Sequence, residues 1–136
     1  MVVQEIMSES PFAVQVTEAT GTVMAKLREA DVRHLPVLDG DMVVGVVSDR
    51  DLRNLELPAL VELENLGQAQ ELARRAIGDV MSSNVISVSP ETEVSEAIDL
   101  MIEQKIGAVV VVEADSDKLV GIVSYIDVLR AARDLL

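Results

Sequence analysis

The sequence predicts a mixed α/β (α+β) fold in which two β-α-β-β-α repeats pack about a pseudo-twofold axis, with a helical connector between them. Three observations support this prediction. The stretch Gly45 to Asp51 returns almost unchanged as Gly121 to Asp127, 76 positions later. Met7-Ser8 matches Met81-Ser82 at an offset of 74. Within each copy, short extended runs alternate with runs of helical periodicity, which indicates one module built from two similar halves.

Each copy is expected to begin with a short extended piece that leads into an amphipathic helix. The extended pieces are Ala13 to Val16 and Val85 to Val88. In the second copy, apolar residues recur at the spacing of one helix face. They are Val94, Ala97, Ile98, Met101 and Ile102. The first copy carries a less regular stripe, formed by Val23, Met24, Leu27 and Ala30.

Two strand-like runs follow in each copy, and a helix is expected after the serine that follows the second run. In the first copy the runs are His34 to Leu38 and Met42 to Val47. In the second copy they are Ala108 to Glu113 and Lys118 to Val123. A unit of roughly 50 residues buries too little apolar surface to be stable alone. We therefore expect the two copies to pack sheet to sheet.

The predicted domain organisation is repeat 1 in residues 1–53, a helical connector in residues 54–79 and repeat 2 in residues 80–136. The connector is rich in helix formers, and Gly67 is expected to end one short helix before Gln68 to Ile77 forms another, or to break a single helix at that point. Its apolar residues exceed what a solvated linker needs. Two interpretations remain open, since these residues either cover an open edge of the repeat pair or contact another subunit.

The composition argues against several functional classes. The chain has 136 residues and a formal net charge of −13, which would repel a phosphate backbone, so nucleic acid is not an expected partner. Phe12 and Tyr125 are the only aromatic residues, which leaves little for bases to stack on. The lack of cysteine removes disulfides and thiolate chemistry, and it fits a reducing cytoplasm.

The sequence also argues against a membrane protein and against an enzyme. The N-terminus lacks a basic region followed by an apolar core, and the longest apolar run, Ile106 to Val112, is about a third of a membrane span. We expect a soluble, cytoplasmic protein with no membrane partner. One histidine, no metal-ligand cluster and no glycine-rich phosphate loop leave no nucleophile or base to assign. No catalytic residue, metal site or required cofactor is therefore expected.

The ordered set of repeated motifs resembles a pair of CBS domains, the Bateman module. Each copy opens with Met-Ser, continues through Val-Arg-His-Leu-Pro-Val or Ile-Gly-Ala-Val-Val-Val, and closes with Gly-h-h-Ser-x-x-Asp, where h is hydrophobic. The resemblance covers nearly the whole chain except the connector. It implies a stand-alone regulatory, energy-sensing module that binds AMP, ADP, ATP or S-adenosylmethionine in clefts between the repeats. It also implies a homodimer that signals to an unidentified effector protein.

The resemblance places the ligand on the serine and aspartate of each closing motif. These residues are Ser48 with Asp51 and Ser124 with Asp127. An ionised carboxylate can accept hydrogen bonds from two adjacent ribose hydroxyls, and a helix N-terminus favours phosphate. Ser-x-x-Asp at a helix start is also a capping box with Asp in place of Glu. The two interpretations are compatible, because a capping residue can contact a ligand as well.

The resemblance also implies that the first strand of each copy's strand pair forms part of the ligand site. The backbone of this strand would lie against the adenine. In the first copy, Arg33 and His34 fall where related proteins place basic contacts to phosphate, whereas the second copy has Gly107 and Ala108 there. The two clefts are therefore expected to be unequal, and the second would allow closer approach of the base and ribose. The remaining residues assigned to the sites are Leu35, Pro36, Val85, Ile86 and Val109.

Structural alternatives remain open for the basic residues and for the whole module. His34 would then be a partly buried strand residue, and Arg33 would pair with a surface carboxylate at little gain in stability. The module would be a ligand-free dimerisation or protein-interaction module in which side chains close the clefts. Calorimetric titration with the four adenosine compounds separates this alternative from a nucleotide sensor.

Overall fold

The structure, a computed structural model of the chain, describes residues 1–9, 12–52 and 66–136. Two short 3-10 turns lie at Val3–Glu5 and Ile77–Asp79. The strands are β1 (Ser8–Glu9), β2 (Val14–Gln15), β3 (His34–Asp39), β4 (Met42–Ser48), β5 (Ser87–Val88), β6 (Ala108–Val112) and β7 (Leu119–Ser124). The helices are α1 (Thr20–Ala30), α2 (Leu66–Arg74), α3 (Val94–Gln104) and α4 (Tyr125–Leu135), and residues 49–52 are also helical.

The chain divides into two compact units, neither of which is continuous in sequence. Unit 1 contains Met1–Pro11, Asp41–Val43 and Val85–Leu136. Unit 2 contains Phe12–Gly40 and Val44–Asn84. The helix and most of the hairpin of the first copy thus belong to unit 2, and those of the second copy belong to unit 1.

Unit 2 is built on a sheet with the strand order β2-β3-β4. Strands β2 and β3 run parallel, with Val14 opposite Val37, and α1 connects them along the chain. The apolar face of α1 enters the core through Val23 and Leu27. The 3-10 turn that follows α2 adds Ile77, which is fully buried. The core of unit 2 consists of Val14, Val23, Leu27, Leu35, Val37, Val47, Leu52 and Ile77.

Unit 1 is built on a sheet with the strand order β1-β7-β6-β5. Strands β5 and β6 run parallel with α3 between them along the chain, and β6 and β7 form an antiparallel pair. The 3-10 turn at the N-terminus contributes Val3, which is fully buried. The core of unit 1 consists of Val3, Val88, Ala97, Met101, Val109, Val111 and Val123.

The opening Met-Ser segment of each sequence copy pairs with the closing strand of the other copy. Ser8 of the first copy lies opposite Ile122 of β7. Ser82 of the second copy forms an antiparallel bridge with Val46 of β4. Each unit therefore combines the helix of one copy with the opening segment of the other. The repeat boundaries at residues 53 and 79 stay a prediction, as does the packing of the repeats about a pseudo-twofold axis.

The predicted α+β class is confirmed by two sheets and several helices in the predicted order. The prediction for the connector was wrong at Gly67, which lies inside α2 because a helical glycine costs only about 1 kcal/mol and other contributions can outweigh it. The connector helix ends at Arg74, and Ile77 belongs to a 3-10 turn. Ile102 was predicted to lie on the apolar face of α3. This prediction was wrong, because the Ile102 side chain is 68% exposed. The first predicted connector helix falls in residues 53–65, outside the described residues.

Candidate functional site

The closing motif of the second copy forms a tight junction between a strand and a helix. Strand β7 ends at Ser124, which adopts an extended conformation and caps α4. The Asp127 backbone N-H donates to Ser124 Oγ over 3.4 Å, and the Ser124 backbone N-H donates to Asp127 Oδ2 over 2.9 Å. The Ser124 hydroxyl also donates to Oδ2, over 3.2 Å. The motif is therefore a reciprocal capping box, which satisfies two N-H groups at the start of the helix.

The closing motif of the first copy has the same geometry. The Asp51 backbone N-H donates to Ser48 Oγ over 3.1 Å. The Ser48 backbone N-H donates to Asp51 Oδ2 over 3.1 Å. Both aspartates are half-buried. The capping interpretation is thus correct for both copies.

The capping role leaves each aspartate with further capacity to accept hydrogen bonds. In the described part of the chain, every hydrogen bond to Asp51 and Asp127 ends on Oδ2. An ionised carboxylate has two oxygens with about four lone-pair sites in total. Each aspartate can therefore cap its helix and still accept hydrogen bonds from the hydroxyl groups of a ligand.

The structure brings the strand residues of the second copy against this junction. Ala108, the first residue of β6, lies directly opposite Ser124. The Gly107 carbonyl accepts a hydrogen bond from the Tyr125 backbone N-H over 3.0 Å. Gly107 and Ala108 thus lie at the same end of the sheet as the serine and aspartate, as predicted. Both residues are half-buried, and neither carries a long side chain that would block close approach to the backbone.

Three other predicted residues of the second copy play more structural roles. Val109 is fully buried in the core of unit 1, so only its backbone can face a ligand. The Ile86 carbonyl accepts a hydrogen bond from the Val110 N-H over 3.2 Å, on the β5 side of β6. Val85 and Ile86 are half-buried. Their assignment to the site stays a prediction.

The first copy presents charged side chains at the equivalent place. The Arg33 carbonyl accepts a hydrogen bond from the Asp49 backbone N-H over 2.9 Å, which matches the contact between Gly107 and Tyr125. Arg33 is exposed and His34 is half-buried. Burial lowers the pKa of His34 below its ordinary value, and the carboxylates of Asp49 and Asp51 partly oppose this shift. The two junctions therefore differ in the charge of the groups beside them, and the inequality of the two ligand clefts stays a prediction.

Leu35 and Pro36 follow these charged residues along β3 and are buried. Leu35 belongs to the core of unit 2. Their side chains therefore stabilise the unit, and only their backbone remains for a ligand. In the described ranges, no group of three or more acidic or histidine side chains is arranged to hold a metal ion. None of the described helices has the length and apolar character needed to cross a bilayer.

Sequence reasoning did not identify why each closing motif begins with glycine. A β-carbon on Gly121 would lie 2.9 Å from the Ser8 carbonyl oxygen, and one on Gly45 would lie 2.8 Å from that of Ser82. The side chains of Met7 and Met81 cover the same two glycines. The sequence feature that could have indicated this contact was the Met-Ser pair that opens each copy. The opening segments thus hold the strands that carry the two serines.

The sequence is similar to known CBS domain proteins. The CBS domain family matches residues 3–57 and 77–134. A CBS domain-containing protein of Dictyostelium discoideum, DDB_G0289609, is 25% identical over 95% of this chain and 89% of its own length. The chloroplastic CBS domain-containing protein CBSX2 of Arabidopsis thaliana is 30% identical over 88% of this chain. The match spans 57% of the length of CBSX2.

Solved structures show the same fold. The crystal structure of CBSX2 in complex with AMP is similar to this chain with a TM-score of 0.81 and 31% identity, over 98% of this chain and 97% of that one. The CBS domain pair of protein MJ0100, crystallised with 5-methylthioadenosine and S-adenosyl-L-methionine, has a TM-score of 0.81 and 23% identity. The similarity covers 100% of this chain and 98% of the MJ0100 chain. At this identity it shows only that the two share a fold.

Proposed function

Because the chain belongs to the CBS domain family and carries two copies of the domain, we propose that it is a regulatory module that binds adenosine-containing nucleotides, AMP first among them. The observation that carries this proposal is the doubled junction, in which a capping aspartate keeps acceptor capacity beside the start of a neighbouring strand. The AMP complex of CBSX2, 31% identical over nearly the whole chain, supports AMP as the first ligand to test.

The carboxylates would hold the ribose. In this proposal Asp127 accepts hydrogen bonds from the 2′ and 3′ hydroxyls, which are adjacent and can both donate to one carboxylate. The adenine lies against the backbone of Gly107 and Ala108, with Val85 and Ile86 nearby. Asp51 plays the equivalent part at the first junction. The placement of the ligand in clefts between the repeats stays a prediction.

The regulatory role follows from the lack of assignable catalytic chemistry in the sequence, together with the family. ADP, ATP and S-adenosylmethionine are further candidate ligands at the same junctions. In this proposal the protein is a homodimer, and ligand binding changes the angle or association of its repeats. An effector protein recognises that change. The proposed compartment is the cytoplasm.

A second candidate function is a ligand-free dimerisation or protein-interaction module. One observation favours it: no residue of α4 is buried, although the helix carries apolar side chains. Leu129 is 58% exposed and Leu135 is 75% exposed. An amphipathic helix with an uncovered apolar face is a typical contact surface for another protein chain.

Isothermal titration calorimetry with AMP, ADP, ATP and S-adenosylmethionine separates the two functions. Asp127→Asn and Asp51→Asn should each weaken binding at one junction, because the amide can still cap the helix but lacks the charge and the second acceptor oxygen. The affinity of the altered junction should fall by roughly tenfold to a hundredfold. Asp134→Asn, an exposed site on α4, is the matched control and should bind as the natural protein does.

The folded state of each variant is checked by circular dichroism. A folded protein that binds none of the four compounds would contradict the nucleotide function and leave the interaction module. Unchanged affinity in the Asp51→Asn, Asp127→Asn double variant would show that the two aspartates are caps only.

A further inference from the structure

The second junction, Ser124 with Asp127, lies just beyond the point where β7 pairs with the opening segment of the first copy. Ser8 lies opposite Ile122, and Ser124 follows Ile122 by two residues in β7. Residues two apart in a strand point to the same face and are about 7 Å apart. A β-carbon on the glycine before Ile122 would lie 2.6 Å from Met7 Sδ and 3.1 Å from Met7 Cγ. The opening segment thus covers β7 directly before the serine.

The first junction, Ser48 with Asp51, has the same relationship with the opening segment of the second copy. The Ser82 backbone N-H donates to the Val46 carbonyl over 3.2 Å, and the Val46 N-H donates to the Ser82 carbonyl over 3.1 Å. Ser48 follows Val46 by two residues in β4. The Met81 side chain covers the glycine before Val46. Both serines therefore lie at the same short distance along the strand from a segment of the other copy.

A 3-10 turn anchors each opening segment to its unit. The Met7 backbone N-H donates to the Val3 carbonyl, and the Met81 N-H donates to the Ile77 carbonyl, each over 2.9 Å. Val3 and Ile77 are fully buried. The two methionines are half-buried and pack against the same cores. Each segment is thus fixed at the turn and reaches the strand of the junction through its methionine.

Resting on the nucleotide function proposed above, we propose that Met7 and Met81 are positioning residues for the two ligand sites, each for the junction of the other sequence copy. Met7 holds β7 in place and so sets the geometry of the second junction. Met81 holds β4 in place and so sets the geometry of the first junction. Neither methionine touches the ligand in this role.

The physical reason is that the ligand binds a junction only when the serine and the aspartate are both in place. When an opening segment detaches locally, the strand before the serine loses its backbone partner and its cover. A ligand that binds only the closed form stabilises the opening segment by mass action, and by linkage the loss of the methionine contact weakens the ligand. Since each segment belongs to the other copy, both effects cross between the copies.

Hydrogen exchange followed by mass spectrometry tests the proposal on the natural protein. With AMP at about a hundred times its dissociation constant, exchange in residues 7–9 and 81–82 should slow by up to about a hundredfold. Asp127→Asn should reduce the protection of residues 7–9 alone, and Asp51→Asn that of residues 81–82 alone. The proposal is overturned if AMP protects neither segment, or if each substitution reduces the protection of the segment in its own copy.

Calorimetry of methionine variants gives the reciprocal measurement. Each junction is observed in the variant that weakens the other, so Asp51→Asn reports the second junction and Asp127→Asn the first. Met7→Ala should weaken AMP binding roughly fivefold or more at the second junction and leave the first within about twofold. Met81→Ala should do the reverse.

Two further sets of variants separate positioning from a general loss of packing. Met7→Leu and Met81→Leu keep an apolar side chain over the glycine and should restore most of the affinity. Met24→Ala is the matched control, since Met24 is a half-buried methionine of α1 that packs on the core of unit 2. It should leave the affinity of both junctions unchanged.

The outcomes distinguish this inference from the function on which it rests. If folded Met7→Ala and Met81→Ala bind AMP normally, or if each weakens both junctions equally, the methionines are core residues only and the nucleotide function stands. Circular dichroism checks the folded state, and the exchange measurement on the natural protein decides if an alanine variant does not fold. If AMP does not bind the natural protein at either junction, the nucleotide function fails and this inference with it.

Discussion

Met7 lies so close to Gly121 that a β-carbon on the glycine would come within 2.6 Å of the methionine sulfur. The same β-carbon would lie 2.9 Å from the Ser8 carbonyl oxygen. Neither Gly121 nor Gly45 has a positive φ. The glycine that opens each closing motif is therefore required by the close approach of another segment, and its backbone conformation is one that any residue can adopt.

Replacement of this glycine tests the contact. Gly121→Ala should lower the free energy of unfolding by about 1–3 kcal/mol, because the new methyl group must displace the Ser8 backbone or move β1. Urea unfolding followed by circular dichroism measures the change. Gly67→Ala is the matched control, since nothing lies within 4 Å of its β-carbon position in α2. That substitution should raise stability by roughly 0.5–1 kcal/mol, and equal effects at both positions would contradict the contact.

The end of the connector, the 3-10 turn Ile77–Asp79, should be as important for stability as the elements of the first copy. Ile77 is fully buried in the core of unit 2, so Ile77→Ala should cost about 2–5 kcal/mol. Ile102→Ala removes the same side chain from a position that is 68% exposed, and it should change stability by less than about 0.5 kcal/mol. Chemical unfolding of the two variants decides the matter. If Ile77→Ala lowers the free energy of unfolding as little as Ile102→Ala does, this segment is not part of the core.

Asp31, the residue that caps the C-terminus of α1, lies at a position that glycine would suit better. Asp31 has a φ of 53°, in the left-handed region, and its charge lies at the negative end of the helix dipole. Asp31→Gly should therefore raise stability by roughly 0.5–1.5 kcal/mol. Glu29→Gly removes a similar charge from inside the helix and should cost about 1 kcal/mol. Thermal unfolding compares the two, and a loss of stability in both would contradict the assigned helix end.

The stability of the free protein should depend on pH through His34. Its pKa is lowered in the folded state, mainly by burial, so the unfolded chain binds more protons between the folded value and 6.5. Stability is therefore expected to fall as the pH drops below about 6.5 and to stop falling from this source below the folded pKa. The measurement is the urea midpoint at pH 7.5 and 5.5. His34→Gln should reduce the difference, and an equal difference in both proteins would exclude this origin.

Much of the fold followed from local sequence patterns. The stripe of Val23 and Leu27 predicted a helix with one buried face, and both residues are in the core. Strand positions were predictable because strand-like runs such as Ala108 to Glu113 recur at the same place in each copy, and the observed strand is Ala108–Val112. Ile102 was wrongly assigned to the buried face of α3, because periodicity shows which residues share a helix face but not how far burial extends across that face. Gly67 was misplaced because propensity is weak beside other contributions to helix stability.

The candidate site was predictable to the extent that it repeats. Ser124 and Asp127 were identified as candidates because Ser48 and Asp51 stand in the same context 76 positions earlier. The pairing of Ala108 with Ser124 depends on strand register, which only the structure shows. The burial of Val109 and Leu35 required the structure, because a strand period shows which residues alternate but does not tell which face is covered.

The sequence by itself determined the two-copy organisation, the elements of each copy and the identity of the serine and aspartate pairs, because these depend on local periodicity and on repetition. Only the tertiary structure decided that Ser8 pairs with β7 and Ser82 with β4, since both segments carry the same Met-Ser pair and either could have paired with its own copy. It also decided that the aspartates cap their helices through Oδ2, because side-chain geometry is set by the backbone of the folded junction.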